Sequence, residues 1–254
     1  MNPAGPIDRD CFIVAARADA DGAPPLGRKL SRYLTDLGAA AVSAALADFS
    51  SEKIDPARVG VYTASGAARY DLAALGVKMA RLDGSGPLWS GGLADLDPFA
   101  LLKLMSCNVL SVLSMALPAE GASEHHADDA PGGIAALAAA AGAIRRGAID
   151  WAVVVAFDDL ASDHARAELA ASGKRGDARQ LAVLHLSAAA DGARARLGAV
   201  KLLHGDGEGT VGGGAALSVV VEALASLRDP ILLAVETDGA VATVELLPVH
   251  GVSP

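Results

Sequence analysis

His125–His126 and Asp128–Asp129 place two imidazoles and two carboxylates almost side by side, the densest chemically competent group in the chain. On paper such a group can ligate a metal, or provide acid/base chemistry toward an acyl group. The two thiols, Cys11 and Cys107, are isolated from each other and read as reduced core residues rather than as a disulfide or a zinc pair. The glycine-rich run Gly205–Gly214 (GDGEGTVGGG) precedes a helical segment, as a phosphate-binding loop would. It lacks the Lys-Ser/Thr pair of such a loop and reads as a flexible connection. His164, His185, His204 and His250 show no Ser/His/Asp or Cys/His spacing and read as surface or satisfied core residues.

The elements that must position these residues alternate between short β-rich runs and long Ala/Leu helices, the pattern of an α/β protein with strands buried on both faces. Strands are expected at Cys11–Ala16, Val59–Thr63, Trp151–Phe157, Leu181–Ser187, Ala199–Leu203, Ile231–Glu236 and Val241–Leu246. Helices are expected near Leu30–Ala47, Pro98–Leu117, Gly133–Arg146 and Ala215–Leu227. Pro98 suits the first helical position after Asp97 as cap. Asp238–Gly239 signals a closing hairpin, because both residues tolerate positive φ.

Composition excludes several function classes. The 254 residues are 52% hydrophobic but only 4% aromatic, and carry a net charge of −9; mean hydropathy is +0.36. An acidic surface argues against nucleic acid and anionic membranes as partners. Lys103, Ser106, Asn108, Ser111 and Ser114 interrupt the longest apolar stretch, so a buried helix is expected there rather than a membrane span. No signal pattern opens the chain, which implies a cytoplasmic protein.

Four segments follow one another in a telling order: GRKLSRYLTDLGAAAVSAALADF, ARVGVYTASG, DPFALLKLMSCNVLSVLSMAL at Asp97–Leu117, and EGASEHHADDAPGGIAALAAAAGAIRRGAIDWAVVVAF. The order resembles the N-terminal half of β-ketoacyl synthases, with their R-V-G-V strand and S-P-F-x-x-x-x-x-M-x-N helix. Their G-P-x-x-x-x-x-T-A-C-x-S-G nucleophile segment and a helix ending A-I-R-x-G-x-x-D follow. Counting forward from Gly121 or backward from Gly147 puts Ala130 where that family carries its cysteine, with Pro131 at the helix start. AAADGARARLGAVKLL after Ser187 is similar to the family's strand opening the second half.

The resemblance implies a thiolase-like layered αβα fold with a shortened second half. Residues 1–190 would be the ketosynthase-like half and 191–254 a truncated remnant, in one compact unit. A condensing enzyme needs a thiolate at a helix N-terminus, and alanine supplies none, so no catalytic residue is expected at Ala130. The two family histidines have no clear counterpart, and LLHGDGEGT at Leu202–Thr210 is only a faint match. Asp158–Asp159 stands where the family has Gly-Gly, a departure read as relaxed constraint near a vanished site. The family also puts Ser123–Asp128 on an interface strand, where His125 and His126 would point to opposite faces, which argues against a metal site.

The function so implied is that of a chain length factor, a non-catalytic partner of an active ketosynthase in polyketide, aryl polyene or fatty-acid-like biosynthesis. It would form a heterodimer and help shape the partner's acyl tunnel, with acyl carrier protein docking mainly on that partner. Arg145, Arg146, Lys174 and Arg175 would give the only local help. Phe99, Ala100, Leu104, Met105, Ser123, Glu124, His125 and His126 are the expected tunnel or interface residues. No cofactor and no metal are expected. The alternative is a stand-alone acyl-thioester hydrolase or acyl-binding protein using His125 or His126 with Asp128 or Asp129.

Overall fold

Short Val- and Ala-rich runs cannot satisfy their backbone groups alone; here they do so by joining one mixed sheet. The computed structural model describes residues 8–49, 54–65, 98–103, 105–127, 131–161, 163–171, 179–204, 213–237 and 240–249. Its strands are β1 (Phe12–Arg17), β2 (Val59–Ala64), β3 (Glu124–His126), β4 (Trp151–Asp159), β5 (Arg179–Ser187), β6 (Ala195–His204), β7 (Ile231–Thr237) and β8 (Ala240–Pro248). They form an eight-stranded sheet in the order β3-β2-β4-β5-β1-β6-β8-β7. β3, β2 and β4 run parallel, and the other neighbours pair antiparallel. Each expected strand is present, and Thr237 pairs with Ala240 as a closing hairpin requires. The expected turn residues Asp238 and Gly239 lie outside the described residues.

The helices depart more from expectation. Leu30–Ala47 is two helices, α1 (Arg28–Ser31) and α2 (Asp36–Ala47), because Thr35 between them is extended and its side chain caps α2 by accepting from the Gly38 amide. Pro98–Leu117 also divides, into α3 (Ala100–Lys103) and α4 (Asn108–Ala116). Pro98 therefore sits in the turn before α3 rather than at a first helical position, and Asp97 lies outside the described residues. The stretch is not uniformly buried either, since Leu102, Met105 and Met115 are exposed. Next come α5 (Gly132–Arg145), α6 (Asp163–Ala171) and α7 (Gly213–Ala225). Sequence reading does not find α6: DHARAELAA carries Leu169 as its one large apolar residue, too little for a periodic pattern.

Alternate side chains of the central strands feed two separate cores. Ala152, Val154 and Ala156 of β4 pack with Ile134, Leu137 and Ile144 of α5 and Leu217 and Val220 of α7. Val153, Val155 and Phe157 face α2 and α4 through Ala41, Val42, Val109 and Leu113. Each buried valine contributes roughly 1.5–3 kcal/mol, so this doubly buried strand is the energetic centre of the αβα layers. The sheet runs unbroken past residue 190, because β6 pairs with both β1 and β8.

Both glycines used for counting have structural duties. Gly147 takes φ +69 just after α5. Its amide bonds the Ile144 carbonyl at 2.8 Å while the Ala148 amide bonds Ala143 at 2.9 Å, a Schellman stop. Gly121 lies so close to β2 that an added Cβ would stand 2.6 Å from the Val59 carbonyl oxygen. Asp150 ties the start of β4 to β2, receiving Arg58 Nε at 3.0 Å and Nη2 at 2.7 Å, and Arg9 Nη1 at 2.8 Å. The Arg58 hydrogen bonds are the main reason its carboxyl titrates below the usual range.

Asp158 is not a relic of relaxed constraint. It is 1% exposed and its Oδ2 receives the Gly214 amide at 3.4 Å, while Gln180 Oε1 receives the Ala215 amide at 3.0 Å. The two side chains satisfy orphan donors at the start of α7, where the helix end favours a negative charge. Among the described residues no helix is long and apolar enough to cross a membrane.

Candidate functional site

Parallel pairing sets Thr63 of β2 beside His125 of β3, so both side chains leave the sheet on one face. Thr63 Oγ1 lies 2.8 Å from His125 Nδ1, and the other ring nitrogen, Nε2, lies 2.9 Å from Ser106 Oγ. Ser106 occupies the turn between α3 and α4. Polar side chains anchor that turn, for Asn108, the first residue of α4, donates through Nδ2 to the Tyr33 carbonyl. A hydroxyl–imidazole–hydroxyl chain thus joins the sheet edge to the helix layer, with Thr63 fully buried at its base.

Ser106 lines a small, partly open cleft of ≈ 20 Å³, room for about one water-sized group, with Tyr33, Leu34, Met105, Val109 and Phe157 as its apolar wall. Ser65, Lys103 and Asn108 add polar groups. Ser65 is 1% exposed, and its hydroxyl finds no hydrogen-bond partner among the described residues. The rim is stiffened by aromatic contacts: Tyr33 and Phe99 meet edge to face at 4.8 Å, and the Arg32 guanidinium lies 4.7 Å and 5.1 Å from the two ring centres.

The structure separates the expected site residues into distinct roles. His125 faces the cleft side, whereas His126 packs toward α5 near Gly132, with its Nε2 3.5 Å from Glu124 Oε1. The two histidines therefore serve opposite faces and share no ligand geometry. Among the described residues no group of three or more His, Cys, Asp or Glu side chains is arranged to hold a metal ion. Ser123 Oγ receives the Val61 amide at 3.0 Å and donates to the Gly121 carbonyl at 3.2 Å, latching the approach to β3 onto β2. Met105 is 52% exposed, and Phe99 is half-buried. Leu104, Asp128, Asp129 and Ala130 lie outside the described residues, as does the side chain of Ala100.

Sequence reading noticed Ser106 and Asn108 only as interruptions of an apolar run, and gave Thr63 and Ser65 no role. The polar interruption was the available signal. His185, the other histidine whose surroundings are described, is a core residue but not a satisfied one. Neither ring nitrogen has a well-formed hydrogen bond among the described residues, and the Ala45 backbone offers only the weakest of the influences on its titration.

Neither described thiol is placed to act as a nucleophile here. Burial pushes the Cys11 thiol up to about 12, and Cys107 precedes α4 without lining the cleft. At pH 8 only ~1 part in 10⁴ of Cys11 is thiolate. Brief iodoacetamide treatment of the native chain should leave Cys11 unmodified, as read by peptide mass spectrometry. Full modification before unfolding would contradict its placement.

No family model and no curated protein matches the chain. Solved structures do match its fold. The AntDE:AntF complex, a type II PKS acyl-carrier protein with its ketosynthase bound to the hexaketide, aligns at TM-score 0.75 and 15% identity, over 95% of this chain and 100% of that one. A β-ketoacyl synthase from Burkholderia phymatum aligns at TM-score 0.72 and 11% identity, over 95% and 100%. The ishigamide ketosynthase/chain length factor aligns at TM-score 0.62 and 14% identity, over 96% and 99%. The chain has the thiolase-like fold of ketosynthases.

Proposed function

We propose that the chain is a chain-length-factor-like subunit that pairs with an active ketosynthase and helps shape its acyl tunnel. It would not condense acyl groups itself. The observation that carries this reading is the place of β3 in the sheet: among the described residues it ends the strand order β3-β2-β4-β5-β1-β6-β8-β7, at the margin where the resemblance puts an interface strand. Met105, beside the residue that bonds His125, adds exposed apolar surface next to that edge, and Leu102 is exposed on the same segment. Fold neighbours that include a ketosynthase/chain length factor pair support the same assembly.

Phe99, Ala100, Leu104 and Met105 are the segment offered to the partner's tunnel, and Ser123–His126 the strand offered to its edge. Carrier protein contact falls mainly on the partner. Arg145 is already engaged, its Nη2 donating to the Leu197 carbonyl at 2.7 Å, which leaves Arg146 as the exposed described cation of the four. Residues 1–190 and 191–254 act together as one unit, and the setting is cytoplasmic polyketide, aryl polyene or fatty-acid-like synthesis.

Co-expression with active type II ketosynthases, followed by native mass spectrometry, should yield a one-to-one heterodimer. Met105→Asp should weaken pairing at least tenfold, about 1.4 kcal/mol, while leaving the Tm of the chain unchanged. Persistent homodimer or monomer with every ketosynthase supplied would remove this function.

A further inference from the structure

Ser106, His125 and Thr63 have the parts and the order of an acyl-transfer relay, and Ser106 opens onto a small cleft of about one water's volume. His125 bridges the two hydroxyls at 2.9 Å and 2.8 Å, distances at which a proton passes directly between heteroatoms. Thr63, fully buried on β2, can accept from Nδ1 and so hold the tautomer whose Nε2 lone pair faces Ser106. Ser106 lies at the cleft wall, two residues before α4, near the positive end of that helix, whose first amide, of Asn108, is given to the Met105 carbonyl at 3.0 Å. A second observation marks the cleft as a ligand site: the Ser65 hydroxyl lines it, is 1% exposed, and meets no partner among the described residues. A buried hydroxyl in that state has given up its water without replacement, and a ligand atom in the cleft would complete it.

We infer that this chain cleaves an acyl thioester by an acyl-serine route through Ser106, with His125 as general base and Thr63 as the positioning residue. Ser106 Oγ adds to the thioester carbonyl carbon as His125 Nε2 takes the hydroxyl proton. The carbonyl oxygen becomes an oxyanion, met by the Ser65 hydroxyl and the start of α4. Collapse breaks the carbon–sulfur bond, and the thiolate leaves with the proton from His125. Water then adds to the acyl-serine, giving its proton to Nε2; the ester bond breaks, Ser106 recovers that proton, and a carboxylic acid departs. The cleft at Ser106 takes only the reacting carbonyl, at ≈ 20 Å³, and the acyl chain lies outside it across the exposed Met105 and Leu102. This places the work on Ser106 rather than on the Asp128–Asp129 pair suggested by sequence. It is independent of pairing, because hydrolysis needs neither a condensing thiol nor a partner.

The test uses the full chain, alone and co-expressed with its ketosynthase, with a fluorophosphonate probe and hexanoyl-coenzyme A. Peptide mass spectrometry should locate the phosphonate on Ser106. Free thiol release should fall at least 100-fold in Ser106→Ala and His125→Ala, with circular dichroism unchanged. Thr63→Val should lower kcat roughly tenfold and shift its pH profile, with KM unmoved, and Thr63→Ser should restore both. Should Ser106→Ala lose its fold, Ser106→Cys serves instead, with iodoacetamide alkylation of the introduced thiol that depends on His125. Absence of label on Ser106 in the folded wild-type chain, or thiol release unchanged by its replacement, overturns the relay and leaves the heterodimer untouched.

Discussion

Replacing Gly60 by alanine should cost about 3 kcal/mol or more and lower the Tm by roughly 6–12 °C, the largest effect expected of any single methyl group here. A Cβ on Gly60 would stand 2.3 Å from the Ala122 carbonyl oxygen, 2.9 Å from Ile149 Cδ1 and 3.0 Å from Tyr62 Cε2. The nearest of these is backbone, so no rotamer change relieves it. What must move is the stretch that Gly121 and Ser123 hold against β2, and that stretch delivers β3 and His125. The variant should therefore lose heterodimer formation along with stability. Gly27→Ala is the matched control, since nothing lies within 4 Å of its added carbon, and it should shift stability by less than about 0.5 kcal/mol. Equal melting temperatures for the two variants would show that the close approach is not as drawn.

The second expectation concerns acid. His185 on β5 is fully buried against α2, with the Trp151 ring 6.1 Å away, and desolvation drives its titration down to about 4, outweighing the nearby Asp48. The folded chain thus holds it neutral while the unfolded chain protonates it below its ordinary value near 6.5. Stability that is complete above about pH 6.5 is then lost as pH falls toward 4, a total of about 3 kcal/mol, with no further loss from this group below that. Asp48 and Asp150, held below the usual carboxylate range chiefly by hydrogen bonds from Arg17 and Arg58, add their losses only at lower pH. Urea denaturation at a series of pH values should show this slope in the wild type and a flat line between about pH 4 and 6.5 in His185→Leu. Parallel lines would mean that His185 is charged and paired in the fold.

The second-half strands show how much a local pattern can carry. Ile231–Glu236 and Val241–Leu246 are apolar runs flanking Asp-Gly, and they pair as such runs must, because hairpin register is fixed by neighbours in sequence. α5 is equally legible, from its Ile134, Leu137 and Ile144 stripe to the glycine that stops it. The split of Pro98–Leu117 was not legible, since the partners that hold the turn, His125 of β3 for Ser106 and the Tyr33 carbonyl for Asn108 at the start of α4, come from distant parts of the chain. α6 was missed for another reason: its sequence, DHARAELAA, has a single large apolar residue and so no repeat to announce it.

Sequence alone determined the alternation of strands and helices and the two-sided burial of the central strands. These follow from side-chain periodicity and turn chemistry, which act within a few residues. Only the tertiary structure decided that Thr63, Ser106 and His125 share one hydrogen-bonded chain, that Ser65 opens onto the cleft beside Ser106, and that β3 ends the strand order among the described residues. Such contacts join residues 19 to 62 positions apart along the chain, and strand order, not local pattern, brings them together.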